Sequence, residues 1–292
     1  MRPGTFTGIL LVLFSAVSFA VSTVFAKLVT TGSDVPAPVI TLFRFGVGFV
    51  AVSIYILIKR KPLKPVKARY VLLRVIFNTG AVIFFFLGIQ YSTVSKANML
   101  NMTYPFFVFL IAPFINSEKH PASYYLYLLL TMAGIYFIFS PGAEVTQSVN
   151  IGDVYALTSG VFAGFAIAYL REARKYDASY LIIFYLMFLG GILNLFISLP
   201  VFVMPEGMIL VYTILSAACA VTGQFFITVG YRYINAAAGS LVSATRILFA
   251  ILLGVSIFSD PLTLNIVAGG ALIIISICGV SGFLKIKKTG HA

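Results

Sequence analysis

Tryptophan is absent from this chain, and the residue types that usually carry chemistry are scarce: two cysteines, two histidines and eight acids in 292 residues. Each shortage excludes something. Cys219 and Cys278 stand 59 positions apart inside apolar runs, with no Cys or His at ligand spacing, so they read as buried free thiols and neither a disulfide nor a metal site is expected. His120 and His291 fall in a loop and a tail, where no catalytic constellation can be built around them. No Gly-rich loop ending in Gly-Lys and a hydroxyl residue occurs, which excludes a P-loop nucleotide site. No cofactor is expected. Charge is also thin, 10% against the roughly 25% of an average soluble domain, while 60% of the residues are hydrophobic, and that balance excludes a soluble globular enzyme. The formal net charge of +12 would suggest nucleic acid on a soluble protein, but in an apolar chain basic residues collect in cytoplasmic loops, so no nucleic-acid partner is expected.

What is present is a series of long apolar runs. Crossing about 30 Å of hydrocarbon takes about 20 apolar residues in a helix, and ten such windows occur: 7–28, 38–58, 70–90, 94–116, 122–140, 152–171, 179–203, 207–230, 237–258 and 262–284. Pro36 and Pro38, Pro62 and Pro65, Pro121, Pro141-Gly142, Asp177, Pro205-Glu206-Gly207 and Asp260-Pro261 punctuate the joints. The first window is read as a retained span and not a secretory leader, because its apolar run continues to Ala26, beyond an ordinary signal core. With an even number of spans both termini share one side. If that side is cytoplasmic, fifteen basic residues lie inside, including Arg2, the cluster from Lys59 to Arg69 and Lys285, Lys287 and Lys288. Lys27 and Lys96 are then the two outside, and the bias predicts cytoplasmic termini in a multi-pass protein of the cytoplasmic (inner) membrane.

The two halves match at an offset of 142 to 144 residues. Gly8, Ser15 and Lys27 fall on Gly152, Ser159 and Arg171, while Gly88, Tyr91, Asn98, Asn101 and Glu118 fall on Gly230, Tyr233, Ser240, Ser243 and Asp260. Each half therefore carries five spans. Five is odd, so the second copy enters the membrane with opposite sense, and two repeats, 1–142 and 143–292, form one integral membrane domain with inverted topology. The fold class is an all-α membrane protein. Lys27 ending the first span, Arg44-Phe45 in the second, Ser95-Lys96-Ala97-Asn98 running to Pro105 in the fourth and Glu118 thirteen residues on make up one pattern. With Ala237-Ala238-Gly239-Ser240, Asp260 and Gly269-Gly270, the chain resembles EamA-type members of the drug/metabolite transporter superfamily over essentially its whole length. The resemblance implies a central cavity walled by the first to fourth and sixth to ninth spans, with the fifth and tenth peripheral. Two features depart from that pattern: Phe19 stands near where a first-span tryptophan is common, and Arg246 stands where the ninth span would carry a proline.

Polar groups inside spans mark candidate function, since an ionisable residue there costs several kcal/mol unless it meets a partner or water. Arg246, near the middle of its span, is either tied to backbone carbonyls or binds a solute carboxylate or phosphate, which its fork suits. Arg44 lies six residues into its span, close enough to the outer surface to snorkel, and Arg74 reads as an extension of the inner basic belt. Asn98, Asn101 and Tyr104 lead to Pro105 on one bent face of the fourth span, and Ser240, Ser243 and Arg246 occupy the matching positions of the ninth. Asn78 and Gln224 are single amides in the third and eighth spans, while Ser15, Ser18 and Ser22 read as helix-packing residues. The substrate-binding candidates are thus Arg246, Asn98, Asn101, Tyr104, Ser243, Asn78, Gln224 and Arg44. No acid lies in a span interior, so a carboxylate proton relay has no residue to carry it, and a zwitterionic or anionic solute is favoured.

These features predict a secondary transporter, not an enzyme, that moves a small organic metabolite such as an amino acid by alternating access. Its partners are that solute and membrane lipid, with monomer and homodimer both open. Two rivals share parts of the pattern: a lipid or lipid-carrier flippase of the same fold, and a membrane-embedded enzyme on lipid-linked substrates.

Overall fold

The computed structural model describes residues 3–92, 94–139 and 149–281. Arg2, the Pro141-Gly142 joint, the expected repeat boundary, the lysines at 285, 287 and 288 and His291 lie outside the described residues. Among the described residues all regular structure is helical. The first repeat contributes α1 (Pro3–Gly32), α2 (Ala37–Lys59), α3 (Ala68–Tyr91), α4 (Val94–Asn101), α5 (Tyr104–Asn116) and α6 (Ala122–Phe139). The second contributes α7 (Ile151–Tyr176), α8 (Ser179–Ser198), α9 (Gly207–Gly230), α10 (Ala236–Ser243), α11 (Arg246–Phe258) and α12 (Leu264–Val280). Taking α4 with α5 and α10 with α11 as broken spans gives ten crossings. Nine are at least 18 residues long and apolar, and α12, at 17, still covers about 26 Å at the helical rise.

The expected spans and the helices agree closely, with one informative overrun. A hydropathy window closes at Arg171, yet α7 continues to Tyr176 because its charged last turn is folded back onto the protein. There Lys175 Nζ meets Glu172 Oε2 at 2.6 Å and Arg174 Nε donates to the Thr228 carbonyl at 2.9 Å. At the other end of α7, Asn150 and Asp153 form a reciprocal capping box. Large apolar side chains meanwhile point outward: Phe114 is 88% exposed and Leu264 82%, the arrangement of a bundle whose solvent is lipid.

Helix pairing follows the repeat. The first helix of each half packs along the third helix of the other, α1 on α9 and α3 on α7. The second helices pair with each other, α2 with α8, and so do the fifth, α6 with α12. This exchange holds the halves together and places the broken fourth and ninth spans between them.

The α6–α12 pair shows how closely the backbones approach. Thr131 and Ser276 share a hydroxyl hydrogen bond of 2.8 Å, and a Cβ placed on Gly134 would lie 2.6 Å from the Gly269 carbonyl oxygen. Gly46 on α2, by contrast, has nothing within 4 Å of such a Cβ. Gly134→Ala is therefore expected to lower stability by about 1–3 kcal/mol through overpacking. Gly46→Ala should hold or slightly raise it through helix propensity. Thermal unfolding in detergent, followed by far-UV circular dichroism, checks both.

Candidate functional site

The fourth and ninth spans break at equivalent places. In the fourth, the ladder tightens at Met102-Thr103, where the Thr103 amide donates to the Leu100 carbonyl at 3.2 Å before α5 starts at Tyr104-Pro105. In the ninth, the Thr245 amide donates to the Val242 carbonyl at 3.1 Å, and α11 starts at Arg246. Proline explains the first break but is missing from the second. Both breaks carry a threonine 142 residues apart whose hydroxyl donates three residues back: Thr103 Oγ1 to Leu100 O at 2.6 Å, and Thr245 Oγ1 to Val242 O at 2.7 Å. A side chain that takes the carbonyl in this way competes with the helical ladder. The symmetry persists to the far ends of α5 and α11, where Ser117 and Ser259 both adopt the left-handed conformation at φ 55°. Two half-helices thus begin inside the bundle.

Arg246 opens α11 ten residues beyond the start of α10, about 15 Å deep and so close to the midplane. Its Nη2 lies 3.4 Å from the Met102 sulfur in the opposite break, and its guanidinium carbon is 5.9 Å from the centroid of the Phe19 ring. Arg44 reaches the same ring from α2, at 5.2 Å, and its Nη2 donates to Gln224 Oε1 at 3.4 Å. The snorkelling expected of Arg44 does not occur: α1 and α9 pack beside α2 and turn the side chain inward. Arg74 likewise leaves the surface belt. It is 3% exposed, its Nε has no hydrogen-bond partner among the described residues, and it lies within electrostatic reach of Arg44 and the Tyr231 hydroxyl. None of the three arginines pairs with a carboxylate among the described residues, whose ion pairs engage Lys27, Lys96, Arg171 and Lys175.

Several of the other expected residues join this centre. Tyr104, at the start of α5, is 9% exposed and lies within electrostatic reach of Arg246, while its hydroxyl sits 3.4 Å from the Ser240 carbonyl. The buried Ser243 hydroxyl lies beside those of Tyr104 and Tyr231 and interacts with both. Gln224 is buried, holding Arg44 through one amide atom and Thr228 Oγ1 through the other. Asn78 follows Arg74 by one turn on the same face of α3 and is half-buried, as is Asn98 on α4. Asn101 does something else: its Nδ2 donates to Ser159 Oγ at 2.5 Å, which in turn donates to the Ala81 carbonyl, so it fastens α4 to the α3–α7 pair. Of the serine stripe, Ser22 bonds Ser216 across to α9 and Ser18 its own helix, in keeping with packing. Tyr231 and Met102 are site residues that spacing did not single out, Phe19 stands out in the sequence only as a departure from the family pattern, and Arg74 reads there as part of the inner basic belt.

Ion pairs flank the centre on both faces. On the proximal face, where α1 begins, Arg171 Nε donates to Glu118 Oε1 at 2.9 Å, and its Nη1 reaches the carbonyls of Tyr231 and Arg232. Glu118 Oε2 accepts the Ala236 amide at 2.8 Å, capping the positive end of α10. On the distal face, Lys27 Nζ meets Asp260 at 3.1 Å. These are matching positions in the repeat, since Lys27 falls on Arg171 and Glu118 on Asp260. Burial separates them: the proximal side chains are 20% and 12% exposed, the distal ones 41% and 49%. Partial burial pushes the His120 imidazole below its ordinary value, against an opposing pull from Glu118, so it is neutral at pH 7 and leaves the proximal pair's charge unaltered.

Ten crossings in two five-helix repeats, with broken helices meeting at a cationic centre, define a polytopic membrane protein of the transporter class. The sequence pattern of the EamA-like transporter family matches residues 6–140 and again 150–282, and the chain belongs to that family. It is similar to the pseudopaline exporter CntI of Pseudomonas aeruginosa, 26% identical over 285 residues that cover 94% of this chain and 96% of the exporter. It is also similar to mouse solute carrier family 35 member G1, 26% identical over 294 residues, covering 94% of this chain and 78% of the carrier. A protein crystal structure superimposes with a TM-score of 0.81 at 16% identity, covering 97% of this chain and 99% of that one, which shows the shared fold.

The two flanking pairs should respond differently to mutation. Glu118→Ala strands Arg171 and the Ala236 amide and is expected to cost about 3 kcal/mol. Asp260→Ala, at an exposed pair, should cost less than about 1 kcal/mol. Thermal unfolding of the purified variants in one detergent compares them directly.

Proposed function

We propose that this chain is a secondary transporter that moves a small zwitterionic or anionic metabolite, such as an amino acid, by alternating access. The observation that carries the reading is Arg246 at the first turn of α11. A guanidinium there, near the midplane and with no carboxylate partner among the described residues, is stabilised when an anion joins it. The solute's acidic group would sit at this point, with Tyr104, Ser243, Asn98 and Asn78 supplying polar contacts and Gln224 orienting Arg44. The names of the relatives, an exporter and a solute carrier, agree with transport and not enzymatic work.

Alternating access would use the repeat, divided at 142/143. The Glu118–Arg171 and Lys27–Asp260 pairs serve as equivalent gates, the first of them on the side where α1 begins. That side is cytoplasmic on the charge bias, in the inner membrane. Solute gradients or exchange would drive the cycle.

Arg246→Ala, reconstituted in liposomes, is expected to lose most uptake of an anionic or zwitterionic solute while reaching normal expression. Uptake at the wild-type rate would refute the site. A ligand panel scored by thermal stabilisation separates the rivals: water-soluble metabolites stabilise a metabolite transporter, and lipids alone stabilise a flippase.

A further inference from the structure

Arg246 has company. Its guanidinium carbon and that of Arg44 lie over one phenyl ring, at 5.9 and 5.2 Å from the Phe19 centroid, which keeps the two carbons within about 11 Å of each other. They come from different repeats, α2 of the first and α11 of the second. The contacts they do make are neutral: Gln224 Oε1 for Arg44 and the Met102 sulfur for Arg246, each at 3.4 Å, with Arg44 Nε buried and unpartnered among the described residues. Arg74 stands behind Arg44, 3% exposed, with its own Nε unpartnered.

Like charges this close in a low-dielectric interior repel, and neither a phenyl face nor an amide oxygen offsets a full charge. One carboxylate would neutralise one guanidinium and leave the other uncompensated. Five-donor forks bind carboxylate and phosphate oxygens in pairs, so two guanidiniums brought to one phenyl ring match a ligand with two negative charges. A zwitterion fits less well, because its ammonium would enter a region that already holds three guanidiniums and, among the described residues, no acid paired with them.

We propose that the solute is a small organic dianion whose charges are shared between Arg44 and Arg246, with Arg74 reinforcing the field at Arg44. This rests on Arg246 being the anion site and narrows its ligand. Dicarboxylates and phosphate monoesters share the required charge, and Phe19 supplies a flat apolar surface for the carbon chain between the acidic groups.

The test uses the full-length protein in detergent. With no tryptophan to report unfolding, a thiol-reactive dye on Cys219 and Cys278 follows melting instead. Four soluble probes of similar size are compared at equal ionic strength: succinate, glycerol 3-phosphate, butyrate and alanine, with phosphatidylglycerol as a lipid arm. Succinate or glycerol 3-phosphate is expected to stabilise the wild type at concentrations at least about tenfold below those needed for butyrate or alanine, the effect of one charged hydrogen-bonded contact. Whichever of the two dianions acts identifies the acid chemistry. Arg44→Gln should abolish the dianion preference while leaving weak, Arg246-dependent binding, Arg44→Lys should retain part of it, and Arg246→Gln should remove binding altogether. Equal affinity for butyrate or alanine, lost in Arg246→Gln but untouched in Arg44→Gln, would overturn the dianion proposal and leave the Arg246 site standing. Binding insensitive to both substitutions, or stabilisation by phosphatidylglycerol alone, would overturn both.

Discussion

A guanidinium held in a membrane interior without a carboxylate must be oriented by the packing around it and by whatever polar atoms lie within reach, and that constraint governs the centre of this bundle. Arg44, Arg74 and Arg246 are all placed this way. Their neighbours are an aromatic face, an amide oxygen, a thioether and tyrosine hydroxyls, groups that steer a cation without neutralising it. The acids that could have neutralised them are spent at the two faces on Lys27, Lys96, Arg171 and Lys175. Among the described residues, the carboxylate ion pairs therefore lie toward the two faces, and the three interior arginines have none.

The scaffold is symmetric and the chemistry is not. Thr103 and Thr245 break their helices in the same way, Ser117 and Ser259 end them with the same φ of 55°, and acid–base pairs recur at matching positions. Within that frame Tyr104 faces Arg246, so one half-helix start carries a hydroxyl and the other a charge. The repeats supply two equivalent backbone breaks, each at a threonine turn.

Most of the scaffold was legible in the residue order because it rests on one-dimensional signals. Apolar windows of membrane length gave ten spans, and a constant offset gave the repeat. The kink in the ninth span was harder to see: with proline absent, the signal was Thr245 matched to Thr103, a hydroxyl close enough to its own backbone to interrupt the ladder. The flanking pairs were half visible, since the repeat match contained Lys27 with Arg171 and Glu118 with Asp260, but which base met which acid depends on helices from opposite halves. Asn101 was placed on the polar face of its span, yet Ser159 and the close α3–α7 packing claim its amide.

From its sequence alone this protein was bound to be a ten-span membrane protein in two repeats, with one arginine too deep to escape to water, because length, hydropathy and spacing are properties of the chain itself. Whether Arg44 and Arg74 joined it was decided by tertiary structure. Both lie near enough to a membrane surface to snorkel outward, and their direction was set by the packing of α1 on α9 and α3 on α7, which closes off the surface and leaves the interior as their available space. Arg44 and Arg246 meet over the Phe19 ring from different repeats, and that convergence exists only once the two halves are interleaved.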